Sequence, residues 1–205
     1  MDENAILNLI EAQTEARRFA DHTALWHERD TAIPANDLVL QMHRANYDLW
    51  HLEDQARDPH SNDSTIAKIK RIIDRTNQRR NDLVEQIDDA LMRMLLPWSL
   101  PANTAPLHSE TPGMILDRLS ILSLKIFHTA EESTRSDATA DHRRGNLDRL
   151  AVLRTQSDAL TGCLSELWRQ IVRGERNFKL YRQMKMYNDP TLNPVLYTAL
   201  KSSLE

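Results

Sequence analysis

Apolar residues recur along this chain at three- and four-residue intervals over long stretches, the spacing that places side chains on one face of a helix. Ile6, Leu9, Ile10, Ala16, Ala20 and Ala24 predict a first helix from Glu3 to about His27. Pro34 breaks the pattern, and Asn36 stands where an N-cap belongs, ahead of a second helix that runs to about Arg57 and is closed by Pro59. Ser64 offers the next cap. Beyond it Ile66, Ile69, Ile73, Leu83, Val84, Ile87, Leu91 and Leu95 hold one face of a third helix through about eight turns. Pro97, Pro101, Pro106 and Pro112 then keep the intervening segment out of helical conformation, because each removes a backbone donor and restricts its predecessor.

Pro112 suits the first turn of a fourth helix that carries Ile115, Leu119, Leu122 and Ile126. A fifth helix presents Leu147, Leu150, Leu153, Leu160, Leu164, Leu167 and Ile171 at nearly coiled-coil spacing, a seam for which the third helix is the expected antiparallel partner. Gly174 is expected to bend the chain into a short helix ending near Lys185, followed by a tail with two Asn/Asp-Pro turn signals. The pattern predicts an all-α, single-domain bundle of five or six helices: a hairpin half over about 36–96, a connector over 97–112, a second helical half over 113–185 and an irregular tail over 186–205.

Composition agrees. Four glycines and 5% aromatic residues in 205 do not suit a Gly-punctuated, aromatic-rich β protein. A net charge of −4 argues against nucleic acid, whose phosphates demand a basic face. Neither a secretory h-region nor an apolar run long enough for a membrane span occurs, so the expected location is cytoplasmic. The single Cys163, among leucines, reads as a buried thiol.

Chemistry is sought where polar residues fall on apolar faces, since burying one unpaired costs about 1–3 kcal/mol. Asn46 and Glu53 lie in line with Met42 and Leu49, with Arg57 one turn on; Asn77 and Arg80 interrupt the third helix; Asp117, Arg118 and Lys125 flank the fourth. These residues form either an interior network that fixes helix register or the lining of a polar interhelical cavity. A second constellation, Glu53 and Asp54 facing Glu85 and Asp88, has the oxygen donors that magnesium prefers, but acids at helical spacing also make an ordinary solvated face. No histidine pair sits at one-helix metal spacing, so metal binding through histidine is not expected, and magnesium enters only with the carboxylate reading. Lys185, Tyr187, Asn188 and Asp189 could form the lip of a site or a helix C-cap.

Four strings carry a resemblance: NYDLWHLEDQAR from Asn46 to Arg57, IAKIKRIIDRTNQRRNDLVEQID from Ile66 to Asp88, ETPGMILDRLSILSLK from Glu110 to Lys125, and KMYNDP from Lys185 to Pro190. In that order they resemble the bacterial family catalogued as domain of unknown function 4254, over nearly the whole chain after about residue 36. The resemblance implies a mostly helical protein often encoded beside glycosyltransferases of lipopolysaccharide or other surface-polysaccharide clusters, with no established activity or cofactor. Its motif residues coincide with the polar positions found by periodicity, which implies a shared site of Asn46, Glu53, Arg57, Asn77, Arg80, Asp117 and Arg118.

Three functions follow as expectations. The first is binding of an anionic nucleotide sugar or sugar phosphate, with Arg57, Arg80, Arg118 and Lys125 on the anion. The second is a magnesium-dependent nucleotide or sugar-phosphate hydrolase using Glu53, Asp54, Glu85 and Asp88. The third is an interaction module forming a homodimer or docking a glycosyltransferase through the fifth-helix seam and the tail.

Overall fold

A computed structural model describes residues 10–182, 184 and 191–195. Among them are five α-helices: α1 (Ala12–Glu28), α2 (Leu38–Gln55), α3 (Asp63–Leu95), α4 (Pro112–Thr134) and α5 (Ala140–Val172), with a short 3-10 turn at Leu96–Trp98. The helices end where local chemistry stops them. Asp37 accepts from the Leu40 amide, Asn62 from Thr65, Thr111 from Met114 and Thr139 from His142, each satisfying a donor that the first turn leaves open. Asp37 and Asn62 are therefore the caps, in place of the expected neighbours Asn36 and Ser64.

Helices joined by short turns pack as antiparallel hairpins, α2 on α3 and α4 on α5. The fifth-helix seam consequently faces α4 instead of the predicted α3. Only part of the seam is covered: Leu150, Leu164, Leu167 and Ile171 are buried, whereas Leu147 is 54% exposed. Cys163, expected in the core, is exposed. In α1 the buried face is Phe19, Thr23 and Trp26, while Ala20 lies exposed, so the bulky aromatics set the helix's rotation. α4 is the centre of the bundle and packs against all four other helices. Phe19, Met42, Leu95, Leu116, Leu119, Leu164 and Trp168 knit the elements into one core.

The described residues between Gly174 and the expected helix end near Lys185 form no helix. Gly174 adopts φ 72° and ends α5 with Glu175 N–H donating to Gln170 O at 2.8 Å, a helix C-terminus that glycine makes without steric penalty. The chain then runs extended beside the connector, with His108 N–H donating to Asn177 O at 2.7 Å and Asn177 N–H to Pro106 O at 2.9 Å. Phe178 plugs the core. Backbone pairing and one aromatic anchor thus outcompete the helix that periodicity suggested, and they strap the connector to the bundle. No described helix is long and apolar enough to cross a membrane.

Candidate functional site

Asn46 is buried at the contact of α2 and α4, where its side-chain amide donates to Asp117 Oδ1 at 2.8 Å and to Ser120 Oγ at 2.9 Å. Arg80 reaches across from α3, giving one guanidinium nitrogen to Asp117 Oδ2 at 3.2 Å and the other to the side-chain oxygens of Asn77 (2.9 Å) and Asn81 (3.0 Å). On the other side the Ser120 hydroxyl donates to His43 Nδ1 at 2.8 Å, and His43 Nε2–H donates to the Phe19 carbonyl at 2.9 Å. A continuous relay therefore crosses the bundle from α1 to α3. Burial holds the His43 imidazole down at about 3, so it is neutral at physiological pH and its two nitrogens have fixed roles. Burial also raises Asp117, while Arg80 and Asn46 pull it back.

Asn46 and Arg80, with Leu49, Trp50, Glu53 and Arg57, line a cavity of about 380 Å³ between α2, α3 and α4. Arg57 and Glu53 pair at 2.7 Å on its exposed rim. Arg80 Nε–H is buried and has no hydrogen-bond partner. Six of the residues expected at the site, Asn46, Glu53, Arg57, Asn77, Arg80 and Asp117, thus gather around one cleft. Arg118 and Lys125 do not join them. They project from another face of α4 into a groove shared with α5, where Arg118 pairs with Glu110 at 2.7 Å. Residues 185–189, with Lys185, Tyr187, Asn188 and Asp189, lie outside the described residues.

The four carboxylates expected for magnesium are spread out, and no three of them come close enough to share a cation. Glu53 and Asp54 sit near the C-terminus of α2, whereas Glu85 and Asp88 lie in the C-terminal half of the antiparallel α3. Asp88 has a structural occupation: Oδ1 accepts from Gly113 N–H at 2.7 Å and Oδ2 from the Thr111 hydroxyl, at the positive N-terminus of α4. Burial pushes its pKa up to about 6, against those two donations. A Cβ on Gly113 would stand 2.8 Å from Asp88 Oδ1, so the close approach requires glycine.

A second polar cluster escaped the sequence reading. His27 of α1, His51 of α2 and His128 of α4 bring one ring nitrogen each to within 4.8 Å of one another, the one such grouping of three potential ligands among the described residues. Burial, reinforced by the neighbouring imidazoles, keeps His51 and His128 below their ordinary range. Aromatic rings set their planes: Trp50 stacks on His128 at 4.6 Å and Phe127 on His27 at 4.3 Å, while Tyr47 meets His51 edge-on at 4.5 Å. A search for two histidines on one helical face misses a site assembled from three helices. The sequence did hold a signal, since an aromatic residue directly precedes each of the three (Trp26-His27, Trp50-His51, Phe127-His128) and none of the other five histidines.

No curated protein and no solved structure matches this chain. A family model does match, over residues 36–180, from the start of the α2–α3 hairpin to the extended strap after α5. This chain therefore belongs to the family described as protein of unknown function DUF4254.

Proposed function

We propose that the protein binds an anionic sugar precursor, a sugar phosphate or nucleotide sugar, in the cleft between α2, α3 and α4, and that it serves a cytoplasmic step of surface-polysaccharide assembly. The observation that carries the reading is the Arg80 guanidinium in the wall of a cavity of about 380 Å³, a volume suited to a small molecule. A guanidinium in a cavity wall binds a phosphate oxygen through charge-assisted hydrogen bonds. Asp117 and Asn77 hold the guanidinium in place, Arg57 supplies a second cation at the rim, and Trp50 offers an apolar wall to a sugar ring. Arg118 and Lys125, on another face, have no part in this site.

Titration calorimetry with nucleotide sugars and sugar phosphates tests it. Arg80→Gln should weaken binding by at least about tenfold, the size of one charge-assisted hydrogen bond, and the rim variant Arg57→Gln should weaken it without disturbing the fold. Arg118→Gln should bind like the parent. Equal affinity in all three variants would overturn the placement.

The exposed Leu147 on the seam of α5 favours a second reading, in which this part of the seam forms a homodimer or docks a glycosyltransferase. Sedimentation at high concentration checks it, because a strictly monomeric mass removes the homodimer.

A further inference from the structure

We propose that His27, His51 and His128 form a binding site for one borderline divalent transition-metal ion, for which zinc is the reference. Nε2 of each of the three rings is buried and without a hydrogen-bond partner. An isolated buried ring nitrogen in that state is unfavourable, and three of them, on rings from three helices that each bring a nitrogen within 4.8 Å of the others, call for a shared partner. The other nitrogen of two rings decides what that partner is. His27 Nδ1–H donates to the Thr23 carbonyl at 2.7 Å, and His128 Nδ1–H donates to the Glu131 carboxylate at 3.1 Å. In the neutral rings both Nε2 atoms are then lone-pair acceptors, which repel one another and attract a cation. This is the arrangement in which carbonyls and carboxylates behind the ring fix the tautomer of a metal-bound imidazole.

The donor type narrows the ion. Three imidazoles with no thiolate and no carboxylate among them suit zinc and its first-row neighbours, and they do not suit magnesium or calcium, which take oxygen. Zinc–nitrogen bonds of about 2.0–2.1 Å in a tetrahedron separate the nitrogens by roughly 3.3 Å. The ring nitrogens, already within 4.8 Å of one another, need to close by at most about 1.5 Å. Stacking by Phe127 and Trp50 restricts the approach of two of the rings. Three protein ligands leave a fourth position for water or an oxygen of a bound molecule. Trp50 stacks on His128 and also walls the cleft of Arg80, so the two sites are neighbours, yet the metal proposal stands on different ligating atoms and holds whether or not the cleft binds a sugar precursor.

The test uses the full chain, stripped with a chelator and then titrated with zinc, with cobalt as a spectroscopic probe and magnesium as control. One zinc per chain is expected, with a rise in the thermal midpoint, intense visible bands of four-coordinate cobalt and no response to magnesium. His27→Gln, His51→Gln and His128→Gln should each abolish the cobalt spectrum. Glu131→Gln, an exposed change that leaves the fold intact, should weaken zinc on the order of 10–100-fold. Absence of saturable, stoichiometric zinc binding by the parent protein would overturn the proposal, and so would a cobalt spectrum that survives all three histidine substitutions.

Discussion

Two polar clusters share the helix pair α2 and α4, a turn or two apart, and differ in one respect. Around Asn46 the side-chain hydrogen bonds close into a relay: His43, Ser120, Asn46, Asp117 and Arg80 are joined by contacts of 2.8–3.2 Å, and only Arg80 Nε is left over. Around His51 three imidazoles meet, and the Nε2 of each is unsatisfied. A closed network in a low-dielectric interior fixes helix register, whereas open valences mark where something else belongs. The comparison separates structural polarity from binding polarity inside one bundle, where burial alone would have treated them alike.

The largest expected effect tests the closed network through pH. His43 has its ordinary 6.5 lowered to about 3, so the unfolded chain takes up the proton first and stability falls as pH drops from 6.5 towards 3, by on the order of 4–5 kcal/mol. Asp88 acts with the opposite sign. Its 3.8 is raised to about 6, so the folded state binds the proton more tightly and stability grows as pH falls from 6 to 3.8. Urea unfolding of Asp88→Asn should therefore show a steeper loss between pH 6 and 4 than the parent, by up to about 1.4 kcal/mol per pH unit. An unchanged slope would contradict the assignment.

Next in size is Asp117→Ala, which strands the donors of Asn46 and Arg80 in the bundle and should cost about 3 kcal/mol by denaturant titration. In chelator, His51→Leu should sharpen the contrast. It removes an unpartnered nitrogen and should leave stability within about 1 kcal/mol of the parent, although the same residue is indispensable for zinc. A loss as large as that of Asp117→Ala would show that the histidine cluster is as much part of the scaffold as the relay. The smallest effect belongs to the rim. Glu53→Gln, which breaks the exposed pair with Arg57, should change stability by less than about 0.5 kcal/mol.

Five helices could be read from periodicity, because a 33-residue amphipathic stretch such as α3 leaves little choice of element. Pairing was harder. The seam of α5 has the same spacing whichever helix it meets, and the short turn from Arg135 to Thr139 decides for α4. The segment after Gly174 looked helical but is held extended by backbone pairing with Pro106 and His108, a non-local contact without a local pattern. Of the site, Asn46, Arg80 and Asp117 were legible as polar residues on apolar faces. Asp88 was legible only as an acid, since its role is to cap a helix 25 residues away from its own position, at Gly113. The histidines were illegible to a one-helix motif because each helix supplies only one.

The most direct measurement is thermal unfolding of the parent protein and Arg80→Gln against nucleotide sugars and sugar phosphates, each with and without zinc. At about 100 times its dissociation constant, a ligand of the cleft should raise the parent's midpoint by about 5–10 °C and leave Arg80→Gln near its own baseline. A panel that shifts neither protein, or both equally, would contradict the assignment of the Arg80 cleft as the binding site.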